Sequence, residues 1–257
     1  MKYIAMLSGG QDSTAMTLRL LELGEPVDYI VFCDTGLEHD EMYEYIDKLD
    51  AFFQRKYNIK ITRLNPRKDF KHWVYGEILR GENEGKIRGV PSVLEMCYWR
   101  RESKERPFER WLKKMGIKEW KQYNGFVYGE SKRYGLSPDH VLAPLIDWKW
   151  REEEVQQYLK SMEMENKLYQ HFTRTGCAVC PKQSEASKYM IYKHYPKWWK
   201  YMKDMEEKLF KMNLASDTPQ WHTELTTVQL EIKFKKKDKQ QTFNLDFEPL
   251  ADCFCKL

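Results

Sequence analysis

Residues 8–13 read Ser-Gly-Gly-Gln-Asp-Ser, directly after the apolar run 3–7 and directly before a helix-like run that ends at Gly24. Ser8, Gly9, Gly10, Gln11, Asp12 and Ser13 therefore stand where a strand becomes a helix. Such a turn presents backbone N–H groups and a positive helix end, both suited to phosphate oxygens. Its glycines let the backbone approach an anion with no side chain between, and the Ser8 and Ser13 hydroxyls add donors. Asp12 has two uses open to it, as a helix cap or as a ligand for magnesium bridging phosphates. The string has neither the Gly-Lys-Ser/Thr ending of the common ATPase loop nor the dinucleotide-binding spacing.

The second chemical signal is sulfur. The chain carries Cys33, Cys97, Cys177, Cys180, Cys253 and Cys255, and close pairs in a reducing compartment suggest metal or redox sites before disulfides. Residues 176–181, Gly-Cys-Ala-Val-Cys-Pro, set Cys177 and Cys180 at a spacing that lets two thiolates meet one metal centre. Taken alone, the pair suits zinc, a redox dithiol or no ligand at all. Cys33, inside an apolar strand, reads as a small buried hydrophobe.

Basic and aromatic residues add weaker signals. Arg100, Arg101, Lys104, Arg106, Lys132, Arg133 and Arg174 are candidate phosphate partners, because guanidinium forks match phosphate oxygens. A solvated surface position is the ordinary alternative for each. Residues 188–203 interleave lysines with Tyr189, Tyr192, Tyr195, Trp198, Trp199 and Tyr201. That composition suits a face that stacks bases and tracks a phosphate backbone. It equally suits rings packed inward with the lysines left in water. The six histidines show no metal spacing.

The elements that must position these residues follow from periodicity. Apolar runs alternate with helix-period segments, which predicts an α/β fold with a mostly parallel, doubly wound sheet. Strands are expected over 3–7, 27–36 and 59–64, and further ones at 125–130 and 140–145. Helices are expected up to residue 23 and over 41–57, 104–114 and 151–160. Beyond Lys182 two helical segments are interrupted at Pro196, and the stretches 226–234 and 241–250 read as a terminal β-hairpin. Residues 77–90, with three glycines and many charges, read as a mobile loop near the site. One α/β domain over 1–181 and a helical and hairpin extension over 182–257 are therefore expected. A net charge of +4 with 32% charged residues is mild and does not by itself establish a polyanionic partner. No apolar run has the length of a membrane span, and the first residues do not resemble a cleavable signal, so a cytoplasmic location is expected.

The whole string Ser8–Ser13 resembles the Ser-Gly-Gly-x-Asp-Ser loop of the PP-loop family, ATP pyrophosphatases that split ATP between its α and β phosphates. Residues 32–46 resemble the Asp-Thr-Gly turn of the branch related to phosphoadenylyl-sulfate (PAPS) reductase. Gly-Glu-Ser-Lys-Arg-Tyr-Gly at 129–135 is similar to that branch's Glu-Ser-x-x-Arg segment, with Arg133 a residue early, and 143–159 and 166–181 resemble its later blocks. The resemblance covers most of residues 1–181 and implies the Rossmann-like adenine nucleotide alpha hydrolase fold. It also implies nucleotide binding by the Ser8–Ser13 loop and by Asp34, Thr35 and Gly36. Asp12, Ser13, Lys104 and Arg133 are the catalytic candidates it brings forward.

In cluster-bearing relatives a cysteine element about as far upstream as Cys97 completes a 4Fe-4S centre with the Cys-x-x-Cys pair. Those relatives carry adjacent cysteines before a Lys-x-x-Pro element, whereas Cys97 stands alone, further from Lys104 and Pro107. The resemblance then implies a ligand set of Cys97, Cys177, Cys180 and one tail cysteine, Cys255 before Cys253, with zinc as the alternative metal. Two reactions follow from the family. The intact phosphate loop suits ATP and magnesium, with release of pyrophosphate and adenylation of an acceptor for sulfur transfer to a nucleic acid, tRNA or DNA, from a sulfur donor protein. The other reaction is reduction of an adenylyl sulfate nucleotide with thioredoxin. Its enzymes use a Glu-Cys-Gly-x-His tail, where this chain has Asp252-Cys253-Phe254-Cys255. A module that senses a nucleotide or a redox state without turnover is the third reading. No feature indicates an oligomeric state.

Overall fold

The structure is a computed structural model and describes residues 1–94, 96–215 and 219–239. In chain order the elements are β1 (Lys2–Met6), α1 (Gln11–Leu23), β2 (Tyr29–Cys33), α2 (Asp40–Tyr57), β3 (Ile61–Leu64), α3 (Phe70–Val74) and α4 (Tyr98–Arg100). A π-helical turn over Arg101–Glu105 continues directly into α5 (Arg106–Lys114). Then come β4 (Trp120–Tyr123), α6 (Ser131–Tyr134), β5 (Val141–Leu142), α7 (Pro144–Asp147), α8 (Glu152–Ser161), α9 (Glu185–His194), α10 (Pro196–Leu209) and α11 (Thr227–Lys239).

The chain forms two compact units. The first comprises Met1–Pro66 and Ser103–Thr175; the second comprises Arg67–Glu102 and the described residues from Gly176 on. This differs from a single boundary after residue 181, because 67–102 belong with the later segment.

The first unit holds five parallel strands in the order β3-β2-β1-β4-β5. Ile4, Ala5 and Met6 of the central strand are all buried, as expected of a parallel strand covered on both faces. Along α2, Met42, Tyr45, Ile46, Leu49 and Phe53 form the inward stripe of a 3.6-residue period. Phe108, Trp111 and Leu112 of α5 pack with Ile4, Met6, Val31 and Cys33. The chain order reverses between β1 and β4, which opens a crevice at the carboxyl ends of those strands. The strand expected at 125–130 lies upstream instead, as β4, and the expected residues leave the sheet as a loop and a 3-10 turn at Tyr128–Glu130.

In the second unit α9 and α10 are separate helices broken at Pro196, as expected. The first strand of the expected hairpin is instead the helix α11; the other strand lies outside the described residues. The alternating Val228, Leu230, Ile232 and Phe234 suggested a strand, but in the helix Thr227, Leu230 and Phe234 are fully buried while Val228 and Ile232 face solvent. A buried carboxylate decides the matter. Glu206 of α10 accepts hydrogen bonds from Thr227 N at 2.6 Å, Thr227 Oγ1 at 2.9 Å and Trp221 N at 3.0 Å, which caps α11 from a neighbouring helix.

The stretch expected to be a mobile loop, 77–90, is tied by backbone hydrogen bonds. Ile78 N donates to Lys86 O, Arg88 N to Gly76 O and Gly89 N to Val74 O, while Ile87 bonds on both sides to Asn213 and Ala215.

Candidate nucleotide-binding site

The phosphate-loop candidate sits where the sheet's crevice opens, between β1 and the first turn of α1. Gly10 is the N-cap of α1, and no side chain takes that role. Gly9 has φ +76° and its carbonyl accepts from the amide of buried Asn166 at 2.9 Å. A Cβ at Gly9 would stand 2.3 Å from Met42 Sδ, so both the dihedral and the space demand glycine. The loop also closes on itself. Ser13 Oγ accepts from Ser8 N at 3.1 Å, shares a hydrogen bond with Ser8 Oγ at 2.9 Å and donates to Gly10 O at 3.1 Å.

Two further segments shape the loop. Tyr169 Oη accepts from Gln11 N at 3.0 Å, and Thr175 Oγ1 lies 3.5 Å from the same hydroxyl. After β4, Gly125 presses on the start of α1: a Cβ there would meet Ser13 N at 2.7 Å and the Asp12 carbonyl carbon at 2.9 Å. Sequence reading assigned Asn166, Tyr169 and Gly125 no role. Gly125 was instead placed at the start of an expected strand, and its position just after β4 emerges only from the fold.

Asp34, Thr35 and Gly36 follow β2 on a turn whose polar atoms are mutually satisfied. Asp34 Oδ1 accepts from Gly36 N at 2.7 Å and from the Tyr43 hydroxyl at 2.9 Å. Thr35 donates to Glu38 Oε1 at 2.6 Å. Burial pushes the Glu38 carboxyl up, against the Thr35 hydrogen bond and the positive charge of Lys104, which favour ionisation. Lys104, in the π-helical turn, is thus brought to the Asp-Thr-Gly turn. Its carbonyl accepts from the Cys33 thiol at 3.7 Å. Cys33 is buried, its thiol pushed up to about 12 by desolvation, in keeping with a packing role. Arg133 is engaged locally: its guanidinium pairs with Glu130 at 3.0 Å and stacks on Phe126 at 5.4 Å. Arg174 reaches the same carboxylate at 4.0 Å.

The candidate ligands Cys97, Cys177 and Cys180 lie in the other unit. Cys97 is the N-cap of α4, and Cys177 and Cys180 flank a turn whose middle residues, Ala178 and Val179, are buried. That turn is stapled from beyond it. Gln183 donates to Cys177 O at 3.1 Å, and the ammonium of buried Lys188 donates to Pro181 O at 3.1 Å and to Gln183 O. Burial lowers Lys188 to about 8 against the opposing pull of Cys180 and Glu185. Thiols are the donors a cluster or zinc needs. Yet no three His, Cys, Asp or Glu side chains form a metal-holding group among the described residues. Cys253 and Cys255 lie outside those residues, so the described donors do not make a complete metal site.

The lysine-rich aromatic segment packs as a core. Tyr189, Tyr192, Trp199 and Phe234 pack edge-on or tilted against one another. Lys193, Lys200, Lys203 and Lys235 pair with carboxylates on α10 and α11. Among the described residues no helix is long and apolar enough to cross a membrane.

Residues 2–183 match the profile of the phosphoadenosine phosphosulfate reductase domain. Two uncharacterized proteins of Methanocaldococcus jannaschii are similar in sequence. One is 28% identical over 229 residues, covering 81% of this chain and 42% of the relative; the other is 24% identical over 198 residues, covering 74% and 44%. The chain thus spans less than half the length of these curated relatives. A phosphoadenylyl-sulfate (PAPS) reductase from Candida auris, solved as a phosphate complex, has a TM-score of 0.45 at 16% identity and covers 69% of this chain and 81% of its own. A U34-tRNA thiolase from Methanococcus maripaludis, solved with its 4Fe-4S cluster, has a TM-score of 0.40 at 17% identity and covers 85% and 75%.

Proposed function

The chain belongs to the phosphoadenosine phosphosulfate reductase domain family, and from that membership we propose that it binds ATP and cleaves it to AMP and pyrophosphate in the service of sulfur transfer. One observation carries the reading. The Ser8–Ser13 loop is whole and self-closed, with Gly9 packed on Met42 and Gly125 packed on the start of α1 holding its shape, and a glycine-bearing loop at a helix start suits a triphosphate.

The β and γ phosphates would lie against this loop, with Ser8, Gln11 and Ser13 as donors. Asp12 would hold magnesium, which offsets phosphate charge. Asp34, Thr35 and Gly36 would face the nucleotide, and Lys104 and Arg133 would supply positive charge to the departing phosphates. An acceptor oxygen attacks the α phosphorus, the bond to the bridging oxygen breaks, and pyrophosphate leaves with that electron pair. A sulfur nucleophile then attacks the acceptor carbon, and AMP leaves with the oxygen. The protein contributes position and electrostatics. The acceptor we infer is a nucleic acid, tRNA or DNA, with sulfur brought by a donor protein.

Pyrophosphate release from ATP, with and without nucleic acid, tests this reading. Asp12→Asn should abolish it, and unchanged turnover in that variant would remove Asp12 from the site.

A 4Fe-4S centre bound by Cys97, Cys177, Cys180 and Cys255 would supply a place for sulfur delivery, and zinc at the same set would supply structure alone. Because the described donors do not complete that site, no step is assigned to it. Protein purified without oxygen should absorb near about 400 nm if iron is held; a colourless, zinc-loaded protein would exclude the cluster.

The family's name favours a second reading, reduction of an adenylyl sulfate nucleotide with thioredoxin. Sulfite released from that nucleotide, with no pyrophosphate from ATP, would select it.

A further inference from the structure

In the cysteine-bearing unit five cations stand over aromatic rings, three of them, Lys193, Lys197 and Lys237, on α9, α10 and α11 and the other two, Arg88 and Lys71, on the 67–102 segment. The Arg88 guanidinium lies 5.5 Å from the centre of the Trp73 ring and 5.2 Å from that of Tyr98. The Lys71 ammonium stands 5.3 Å over Tyr201. Among the described residues neither cation has a carboxylate within ion-pair distance, and no acceptor takes a hydrogen bond from the Arg88 guanidinium. Lys193, Lys200, Lys203 and Lys235 are paired, so Arg88 and Lys71 stand apart from them. Of the acids facing this cluster, Asp69 caps α3 through His72 N and Asp204 pairs with Lys200.

The arrangement is built rather than incidental. Arg88 rides on a segment fixed by hydrogen bonds from Arg88 N to Gly76 O, Gly89 N to Val74 O and Ile87 N to Asn213 O. The Tyr98 hydroxyl donates to Gly89 O at 2.7 Å and locks the ring beneath the guanidinium. Ring faces hold a guanidinium by its plane and leave its N–H edge pointing outward, the geometry that grips phosphate oxygens two at a time. The ring under the guanidinium belongs to Tyr98, the residue next in the chain to Cys97, a candidate sulfur-handling residue.

We propose that Arg88 and Lys71 form a phosphate-binding face that holds the backbone of a polynucleotide substrate beside Cys97. The proposal deepens the reading that the acceptor is a nucleic acid. Nucleotide binding is already served by the loop in the other unit, and two separate cations suit successive phosphates of a chain better than one small anion.

The test is the affinity of the full chain for fluorescently labelled tRNA, read by anisotropy across a salt series without ATP, so its outcome is independent of pyrophosphate release. Arg88→Gln should weaken binding about tenfold and lower the slope of log affinity against log salt by about one, and Lys71→Gln should lower the slope likewise. Arg88→Lys should keep the slope and lose affinity, because the stacked fork is gone while the charge remains. Wild-type affinity and slope in both glutamine variants would overturn the proposal. So would displacement of the RNA by inorganic phosphate or AMP at matched ionic strength, which would make the site one for a small phosphate. If Arg88→Gln does not fold, the Lys71→Gln and Arg88→Lys measurements decide alone.

Discussion

Gly9 and Gly125 hold the phosphate loop in shape by what they lack. Gly9→Ala must adopt φ +76° and push Met42 aside, which should cost about 1–3 kcal/mol of stability and most of the ATP affinity. Gly125→Ala meets backbone atoms of Asp12 and Ser13, which no rotamer change relieves. It should cost about 1–3 kcal/mol by overpacking, and ATP titration should show the loop displaced; wild-type affinity would mean that this contact does not shape the nucleotide site. The loop was legible in the sequence because six consecutive residues make it. Asn166 and Tyr169 were not, because they reach Gly9 and Gln11 across 157 and 158 positions, and no local pattern encodes that. Arg133 was legible as a basic residue, but its pairing with Glu130 and its stacking on Phe126 come from the turn that carries it.

Secondary elements were read best where one period was strong. The amphipathic stripe of α2 and the buried run of β1 left little ambiguity. The stretch 226–234 failed because its apolar residues fit a period of two and its inward residues also fit a helix; the capping carboxylate of Glu206 chose between them. Glu206→Ala should strand the Thr227 and Trp221 amides and cost roughly 2–3 kcal/mol in a denaturant melt, with helix content lost over 227–239. His39, at the start of α2, gives a pH test. Burial holds its imidazole down to about 4, so between the ordinary 6.5 and that value the unfolded chain binds a proton that the folded chain refuses. Stability should therefore be full above pH 6.5 and fall by about 3 kcal/mol as pH drops to 4. His39→Leu should lose that part of the slope, and identical pH profiles for the two proteins would show that the ring titrates normally.

At the scale of the molecule, the chain visits its two units in the order first, second, first, second. A single cut along the sequence could not show this, since composition changes visibly only after residue 181 and not at 66 or 102. Nucleotide should protect one unit selectively. ATP at about a hundred times its dissociation constant should add about 2.7 kcal/mol of apparent stability. Amide exchange should slow over 1–66 and 103–175 and stay unchanged over 67–94; equal slowing in both would show that the nucleotide does not act through the first unit alone.

The chain changes units inside the π-helical turn of Arg101–Glu105. Such a turn accommodates one residue beyond the ordinary helical repeat, and one residue is about 100° of rotation. Removing any one of the five would relax the turn to α geometry and swing Lys104, which precedes α5 in the first unit, off the Asp-Thr-Gly turn. The surplus residue thus sets the aim of Lys104, and its loss would be felt as a misdirected ammonium long before it was felt as an unfolded helix.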